Sequence, residues 1–349
     1  MRRVTTAAMI GVALLLAGCS SSSSSSSSTT SSGATANSAV STAPVTVRLG
    51  FLTNITHASA LVGLKEGFFT KDLGSAGSLK ATAFSTGTEE TTALLAGQLD
   101  AAYVGPNPAI NAWQKSNGSA IKIISGAATG GASVVVAKGI SSASQLKGKT
   151  LATPSLGNTQ DVALRYWLKQ NGLATTSTGG GDAFIKPTTP NSAAVLEFKS
   201  GQIAGGSEPA PYDIEMVKDG GTVLLSESGV TTLLVVTQSF LSAHPAIVAD
   251  LVKAQIQAND FIKSSPAAAQ ADANAELGSY TGKPLKASIV AAAFKEITFT
   301  NDPDASSLTS DASQAQSLGL LKPVNLSGIF DLGPLNTALA AAGQSQVSS

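Results

Sequence analysis

The chain has 349 residues, of which 43% are hydrophobic, with 22 basic against 22 acidic side chains, two His and a single Cys. The charge balance leaves no basic footprint for nucleic acid or an anionic membrane surface, and one Cys excludes an internal disulfide. Two His without an HExxH pattern, and no GxSxG elbow, give no support to a zinc site, a resident cofactor or a His-based triad.

Taken in chain order, Arg2 and Arg3 form a positive n-region, "AAMIGVALLLA" an apolar core and "LAGC" (Leu16 to Cys19) a small-residue end. The apolar run is shorter than the roughly 20 residues of a membrane span, so residues 1–18 read as an export signal. "LAGC" resembles the bacterial lipobox, which implies cleavage before Cys19 and lipidation of its sulfur. Residues 19–43, from Cys19 through a Ser/Thr-rich run, read as a disordered tether. Loss of Arg2 and Arg3 leaves 20 basic residues against 22 acidic. The remaining chain is long enough for two cores, and no later apolar run reaches spanning length.

From residue 45 the pattern alternates. "VTVRLGFL" is a strand, "HASALVGLKEGFF" a helix carrying Ala58, Leu61, Val62, Phe68 and Phe69 on one stripe, "LKATAF" a strand, "TEETTALLAG" a helix and "LDAAYV" a strand. Such alternation predicts parallel βαβ units in an α/β fold. The pattern then recurs: "FKSGQIAGGSEPAPYDIEMV" shadows "LLAGQLDAAYVGPNPAINAW", with Gly97-Gln98-Leu99 falling on Gly201-Gln202-Ile203. Two similar lobes are expected, lobe I over 44–136 and 237–349 and lobe II over 137–236. The apolar stretches "ASVVVAKG" (132–139) and "TTLLVVTQ" (231–238) are expected to be the two crossings and hence a two-strand hinge. "PAIVADLVKAQIQANDFI" predicts a late helix laid over lobe I.

In open α/β sheets ligands sit where strands end and helices begin. Four polar turns have that placement: "TNITH" (53–57), "STGTEE" (85–90), "GPNPA" (105–109) and "LGNTQ" (156–160). None continues into Gly-Lys-Ser/Thr, which excludes a nucleotide P-loop, and a turn without lysine offers neutral donors at a positive helix end. Plain helix capping explains the same residue types. The candidate ligand-binding residues are Asn54, Thr56, His57, Gly87, Thr88, Asn107, Gly157, Asn158 and Thr159, with no catalytic or metal-binding residue. His57 reads either as a donor to the ligand or as a capping residue.

"LGFLTNITHASALVGLKEGFF", "LLAGQLDAAYVGPNPAINAW", "LKGKTLATPSLGNTQDVALRYWLKQNGL" and "SLGLL...GIFDLGPLNTAL" together resemble the nitrate/sulfonate/taurine family of ABC-importer solute-binding proteins. The resemblance covers residues 45–340. It implies a type II periplasmic-binding fold, a small oxyanion held between two lobes, and a membrane permease with a cytoplasmic ATPase as partners. Together with the lipobox and tether this reads as an extracytoplasmic receptor anchored through Cys19, most simply a monomer, and not as an enzyme. Many relatives carry Glu-Pro-Trp/Tyr at the second lobe's cleft edge, where an ungapped reading here gives Ala210-Pro211-Tyr212, with Glu208-Pro209 two residues earlier. The resemblance thus implies either a shifted loop with Glu208 as the ligand-binding cleft carboxylate or a cleft without that carboxylate. Two alternatives stay open. A neutral or aromatic solute would call on Phe51, Phe84, Tyr103 or Tyr212 for stacking, and an enzyme on the same fold would use Glu208 or Asp161 as its base.

Overall fold

The computed structural model describes residues 44–349. The expected signal peptide, Cys19 and the tether up to residue 43 lie outside the described residues. The chain opens with β1 (Val45–Leu52), whose Val47, Leu49 and Phe51 alternate into the core. The single helix expected next is broken into α1 (Ala58–Lys65) and α2 (Phe68–Leu73). Gly67, at φ 70°, is the cause: it turns the backbone left-handed, and its N–H bonds back to the Leu64 carbonyl, the usual way a helix is stopped. Then follow β2 (Gly77–Phe84), α3 (Gly87–Leu95), β3 (Ala101–Val104), α4 (Pro106–Lys115) and β4 (Ile121–Gly130).

After β4 the chain leaves for a second sheet. It forms β5 (Ala132–Val136), β6 (Thr150–Thr153), α5 (Thr159–Gln170), β7 (Phe184–Pro187), α6 (Asn191–Lys199), β8 (Gly205–Pro209), α7 (Tyr212–Lys218) and β9 (Thr222–Ser226). It returns as β10 (Val230–Thr237) and continues through α8 (Gln238–Ala243), α9 (Pro245–Ser264), α10 (Pro266–Thr281), α11 (Ala287–Glu296), β11 (Ile297–Phe299), α12 (Ala305–Ser317) and α13 (Gly333–Ala341).

The first sheet has the order β11-β4-β10-β3-β1-β2 and the second β7-β6-β8-β5-β9. Stripped of β11 the two orders are the same, each with one antiparallel strand, β10 or β5, set between its third and fourth parallel strands. The repeat at an offset of 104 residues is therefore structural. Gly97 and Gly201 both turn left-handed after α3 and α6, at φ 70° and 74°. Gln98 and Gln202 then donate their N–H groups to Ala93 and Glu197, each at 2.9 Å.

The lobe boundaries move relative to expectation. β5 hydrogen-bonds to β8 and β9, which puts 132–136 in lobe II, and β10 pairs with β3 and β4, which puts 230–236 in lobe I. The two apolar stretches are thus core strands and not crossings. The segments that join the two sheets are Gly130-Gly131 and residues 227–229. Gly130 donates to the Gly229 carbonyl at 2.9 Å and Glu227 to that of Ala132 at 2.9 Å. Gly130 and Gly131 have φ of 70° and 75°, and a Cβ on Gly131 would lie 2.3 Å from Ile297 Cγ1, so both conformation and space require glycine there.

The central strands of the first sheet are buried on both faces, because helices cover both sides. Tyr103 packs on the α1–α9–α10 side with Val47, Leu61 and Leu251, while Ala102 and Val104 face α4 and α12 with Ile110, Trp113 and Leu308. Each large apolar side chain so placed stabilises the lobe by about 1.5–3 kcal/mol. On α9, Ile247, Leu251, Ala254 and Ala258 are buried as expected. The same helix also brings Gln255 and Asn259 into a buried network. Gln255 accepts from the Tyr103 hydroxyl at 2.6 Å, and Asn259 accepts from Ser59 at 2.6 Å while donating to Asn301 at 2.8 Å.

Candidate functional site

At the carboxyl ends of β1, β3, β6 and β8 the two lobes meet over a small buried cavity. Its lining is Leu52, Asn54, Thr56, His57, Gly87, Gly105, Pro108, Asn158, Thr159, Gln160, Pro209 and Thr231. All four polar turns singled out in the sequence contribute to it. Its free volume is about 20 Å³, close to the minimum that holds one water molecule, so the lobes stand in a tightly closed arrangement. Several hydrogen bonds cross between them, including one remote from the cavity, from Lys169 Nζ to the Ser317 carbonyl at 2.6 Å. Ile55 N–H donates to the Ala210 carbonyl at 2.8 Å, the Tyr212 hydroxyl to the Thr53 carbonyl at 2.9 Å, and the hydroxyls of Thr88 and Ser155 stand 3.2 Å apart.

The first turn is a short 3₁₀ segment over Ile55–His57 without a side-chain cap. His57 is almost wholly buried, and its Nδ1 accepts the Leu52 N–H at 3.2 Å. That bond assigns the proton of the neutral ring to Nε2. Burial pushes the imidazole pKa down to about 3, so His57 is an uncharged donor at any physiological pH. Asn54 Oδ1 accepts the Thr56 hydroxyl at 2.7 Å, which orients the Asn54 side chain and leaves its amide hydrogens for another acceptor.

The turn of lobe II is built differently. Asn158 caps α5 by accepting the Asp161 N–H at 2.9 Å, and its own amide donates to Gln160 Oε1 at 3.0 Å. Behind the turn lies a buried ion pair, Arg165 Nε to Asp161 Oδ1 at 2.8 Å, and the other carboxylate oxygen accepts the Gly157 N–H at 2.8 Å. Burial raises the Asp161 pKa, while Arg165 and the Gly157 N–H oppose the rise. The N–H groups of Thr159 and Gln160, at the first two positions of α5, have no intrahelical partner. The Thr159 hydroxyl is also buried without a hydrogen bond.

Asn54, Thr56, His57, Gly87, Asn158 and Thr159 are thus brought to one cavity, and four other candidates are not. Thr88 is exposed at the rim on its bond to Ser155. Asn107 is buried beside the cavity, its amide 3.4 Å from the Asp311 carbonyl. Gly157 has its N–H committed to Asp161. Glu208 pairs across β5 with Ser133 and sits near Tyr212 and Asp213, off the cavity. Both of its carboxyl oxygens are buried without a partner. Burial and the neighbouring Asp213 push its pKa well above the usual carboxylate range, which disfavours the charged form, and it does not line the cavity. The sequence reading also missed lining residues. Gly105, Pro108 and Gln160 stand inside the quoted turns, whereas Thr231 was hidden in an apolar run.

No charged side chain lines the cavity, and among the described residues no group of three metal-ligating side chains could hold an ion. The start of α4 is a poor anion site, because Pro106 and Pro108 remove two of its first three N–H donors. The donors left are Asn54, His57 and the starts of α3 and α5. None of the four aromatic candidates lines the cavity. Phe51 stacks edge-on with Tyr280 at 5.0 Å, Tyr103 is engaged with Gln255 and Tyr212 with Thr53. Nor is Asp161 free to act as a base, being held by Arg165.

Solved structures share this architecture. The chain is similar to the alkanesulfonate-binding protein SsuA of Xanthomonas axonopodis pv. citri bound to MOPS, with 16% identity over 83% of this chain and 99% of that one and a TM-score of 0.68. It is also similar to the periplasmic nitrate-binding protein NrtA of Synechocystis PCC 6803, with 14% identity, 85% and 89% coverage and a TM-score of 0.72. A mutant of the enzyme DszB in complex with biphenyl-2-sulfinic acid matches as well, with 15% identity, 85% and 99% coverage and a TM-score of 0.62. At these identities the likeness establishes the periplasmic-binding-protein fold. No curated protein gives a significant match. The profile of the NMT1-like family matches residues 41–277, well over half the chain, and the chain belongs to that family.

Proposed function

We propose that the protein is an extracytoplasmic solute receptor of an ABC importer that captures a small oxyanion, an aliphatic sulfonate or taurine before nitrate or bicarbonate, between its two lobes. The observation that carries this reading is the convergence of four strand-to-helix turns, from both lobes, on one buried cavity lined by neutral donors and no charged side chain. A neutral Asn amide, a neutral imidazole N–H and helix-start N–H groups offset a single negative charge without an ammonium or guanidinium. The fold of the sulfonate and nitrate receptors supports the same reading. DszB carries the same fold, but Asp161 is held by Arg165 and Glu208 is off the cavity, which leaves the enzyme reading without a base.

The mechanism follows from the geometry. An anion touching both lobes binds the closed form better than the open one, and only such differential affinity shifts a hinge. About 5.5 kcal/mol moves the equilibrium from 1:99 to 99:1, within reach of several hydrogen bonds to a charged group at about 1.5–3 kcal/mol each. The guest needs more room than the present cavity, so it enters an opened cleft and the lobes close on it less tightly. A permease then recognises the closed outer shape, and lipid on Cys19 keeps the receptor at the membrane. Replacement Cys19→Ser should release the protein from the membrane fraction.

A thermal-shift and calorimetric panel of taurine, ethanesulfonate, nitrate, bicarbonate and a pyrimidine tests the reading. A sulfonate or nitrate should raise the melting temperature through mass action on the native state. A response to the pyrimidine alone would transfer the same role to a neutral solute.

A further inference from the structure

Gly105 precedes α4 with φ −69° and ψ 158°, an extended conformation open to any residue. The backbone therefore does not need glycine here, and the reason must be space. A Cβ on Gly105 would lie 2.6 Å from the Thr159 hydroxyl oxygen, 3.7 Å from Thr159 Cβ and 3.7 Å from Pro108 Cδ. Gly105 belongs to lobe I and Thr159 to lobe II. The missing side chain of one lobe is filled by the hydroxyl of the other, which is buried and has no hydrogen-bond partner. Thr159 is branched at Cβ, so of the two other staggered rotamers one puts its methyl group in the same space, which narrows the ways of turning the hydroxyl aside. A glycine kept for close approach marks a place where something else must come near, and here that something arrives only when the lobes shut.

We infer that the Gly105–Thr159 contact is the closure stop of the cleft, with Gly105 the positioning residue that sets how far the lobes approach. For the capture reading the consequence is that Gly105 fixes the smallest guest the closed cleft holds. That consequence rests on the proposed function, whereas the closure stop itself does not.

The Thr88 and Ser155 hydroxyls, 3.2 Å apart across the lobes, give a probe of closure that uses no solute. In the full chain carrying Cys19→Ser, the pair Thr88→Cys and Ser155→Cys should be oxidised by diamide to a disulfide only when the lobes close. Adding Gly105→Ala should slow this by about tenfold or more, the scale of forcing an atom into occupied space. Adding Thr159→Ala should restore the rate, because the nearest remaining atoms are then at ordinary contact distance. Thr159→Val, which keeps an atom where the hydroxyl stands, should not. If Gly105→Ala does not fold, judged by thermal melting, Thr159→Met fills the same gap from lobe II and should slow the oxidation likewise. Oxidation of folded Gly105→Ala at the parent rate, or slowing that Thr159→Ala leaves unchanged, overturns the inference. Either result is independent of whether an oxyanion binds.

Discussion

The turns at Asn54–His57 and at Ser155–Thr159 occupy equivalent places in the two lobes and are held in opposite ways. The first has no helix cap and is fixed by hydrogen bonds that leave donors over: His57 spends Nδ1 on Leu52 and keeps Nε2–H, and Asn54 spends Oδ1 on Thr56 and keeps its amide. The second is tied down by an Asn158 cap, a Gly157 bond and a buried Asp161–Arg165 pair, and keeps mainly backbone N–H groups. The difference teaches a division of labour. On the proposed reading, lobe I offers side-chain donors to a guest, while lobe II offers a rigid helix end.

Breaking the brace should have the largest effect. Asp161→Ala strands Arg165 as a buried unpaired charge, so urea unfolding should show a loss of about 3–5 kcal/mol. A loss below about 1 kcal/mol would mean that the pair is not what holds the lobe II turn. Next comes the reading side. Asn54→Ala should weaken binding of the responsive anion by about ten- to a hundredfold in calorimetry, the worth of one hydrogen bond to a charged group, with a much smaller change in stability. Asn158 separates the two roles within one residue. Asn158→Ala should cost about 1 kcal/mol through the lost cap. Asn158→Asp should keep the cap, as seen in melting, yet repel an anionic guest; unchanged affinity in Asn158→Asp would place the guest away from lobe II.

The smallest effects concern pH. With its pKa near 3, His57 stays neutral, so anion affinity should be flat from about pH 8 to 5; a rise on acidification would mean that an imidazolium binds the guest. Glu227 behaves in the opposite sense to a paired carboxylate. It is half-buried, its carboxyl accepts from Ser207 at 3.0 Å, and desolvation of the carboxyl pushes its pKa up to about 7. The folded state holds this proton where the unfolded chain has released it. Its contribution is therefore complete below the ordinary Glu range and is lost as pH rises from there through about 7. Glu227→Gln should reduce the fall in melting temperature across that window relative to the parent.

Much of the fold was legible because the signals were local. Gly97-Gln98 and Gly201-Gln202 announced the repeat through the same helix stop, and the four polar turns announced the cleft because strand ends and helix starts share a recognisable composition. What stayed hidden depended on partners distant in sequence. β5 and β10 are apolar, β-branched runs buried on both faces, and nothing in such a run says which sheet it joins. Glu208 looked like a cleft acid, yet it is buried beside Tyr212 and Asp213 and does not line the cavity. Gln255 and Asn259 sat unremarked on an apolar helix because their acceptors and donors, Tyr103, Ser59 and Asn301, come from other parts of the chain.

The bond between the Gly130 amide and the Gly229 carbonyl joins the two connecting segments into a single ribbon. A ribbon stitched this way resists sideways shear, since sliding one jaw past the other would tear the stitch, while rotation about the glycines leaves it whole. On the proposed reading this favours a swing of the jaws over a slide, so that a guest enters and departs through the same mouth.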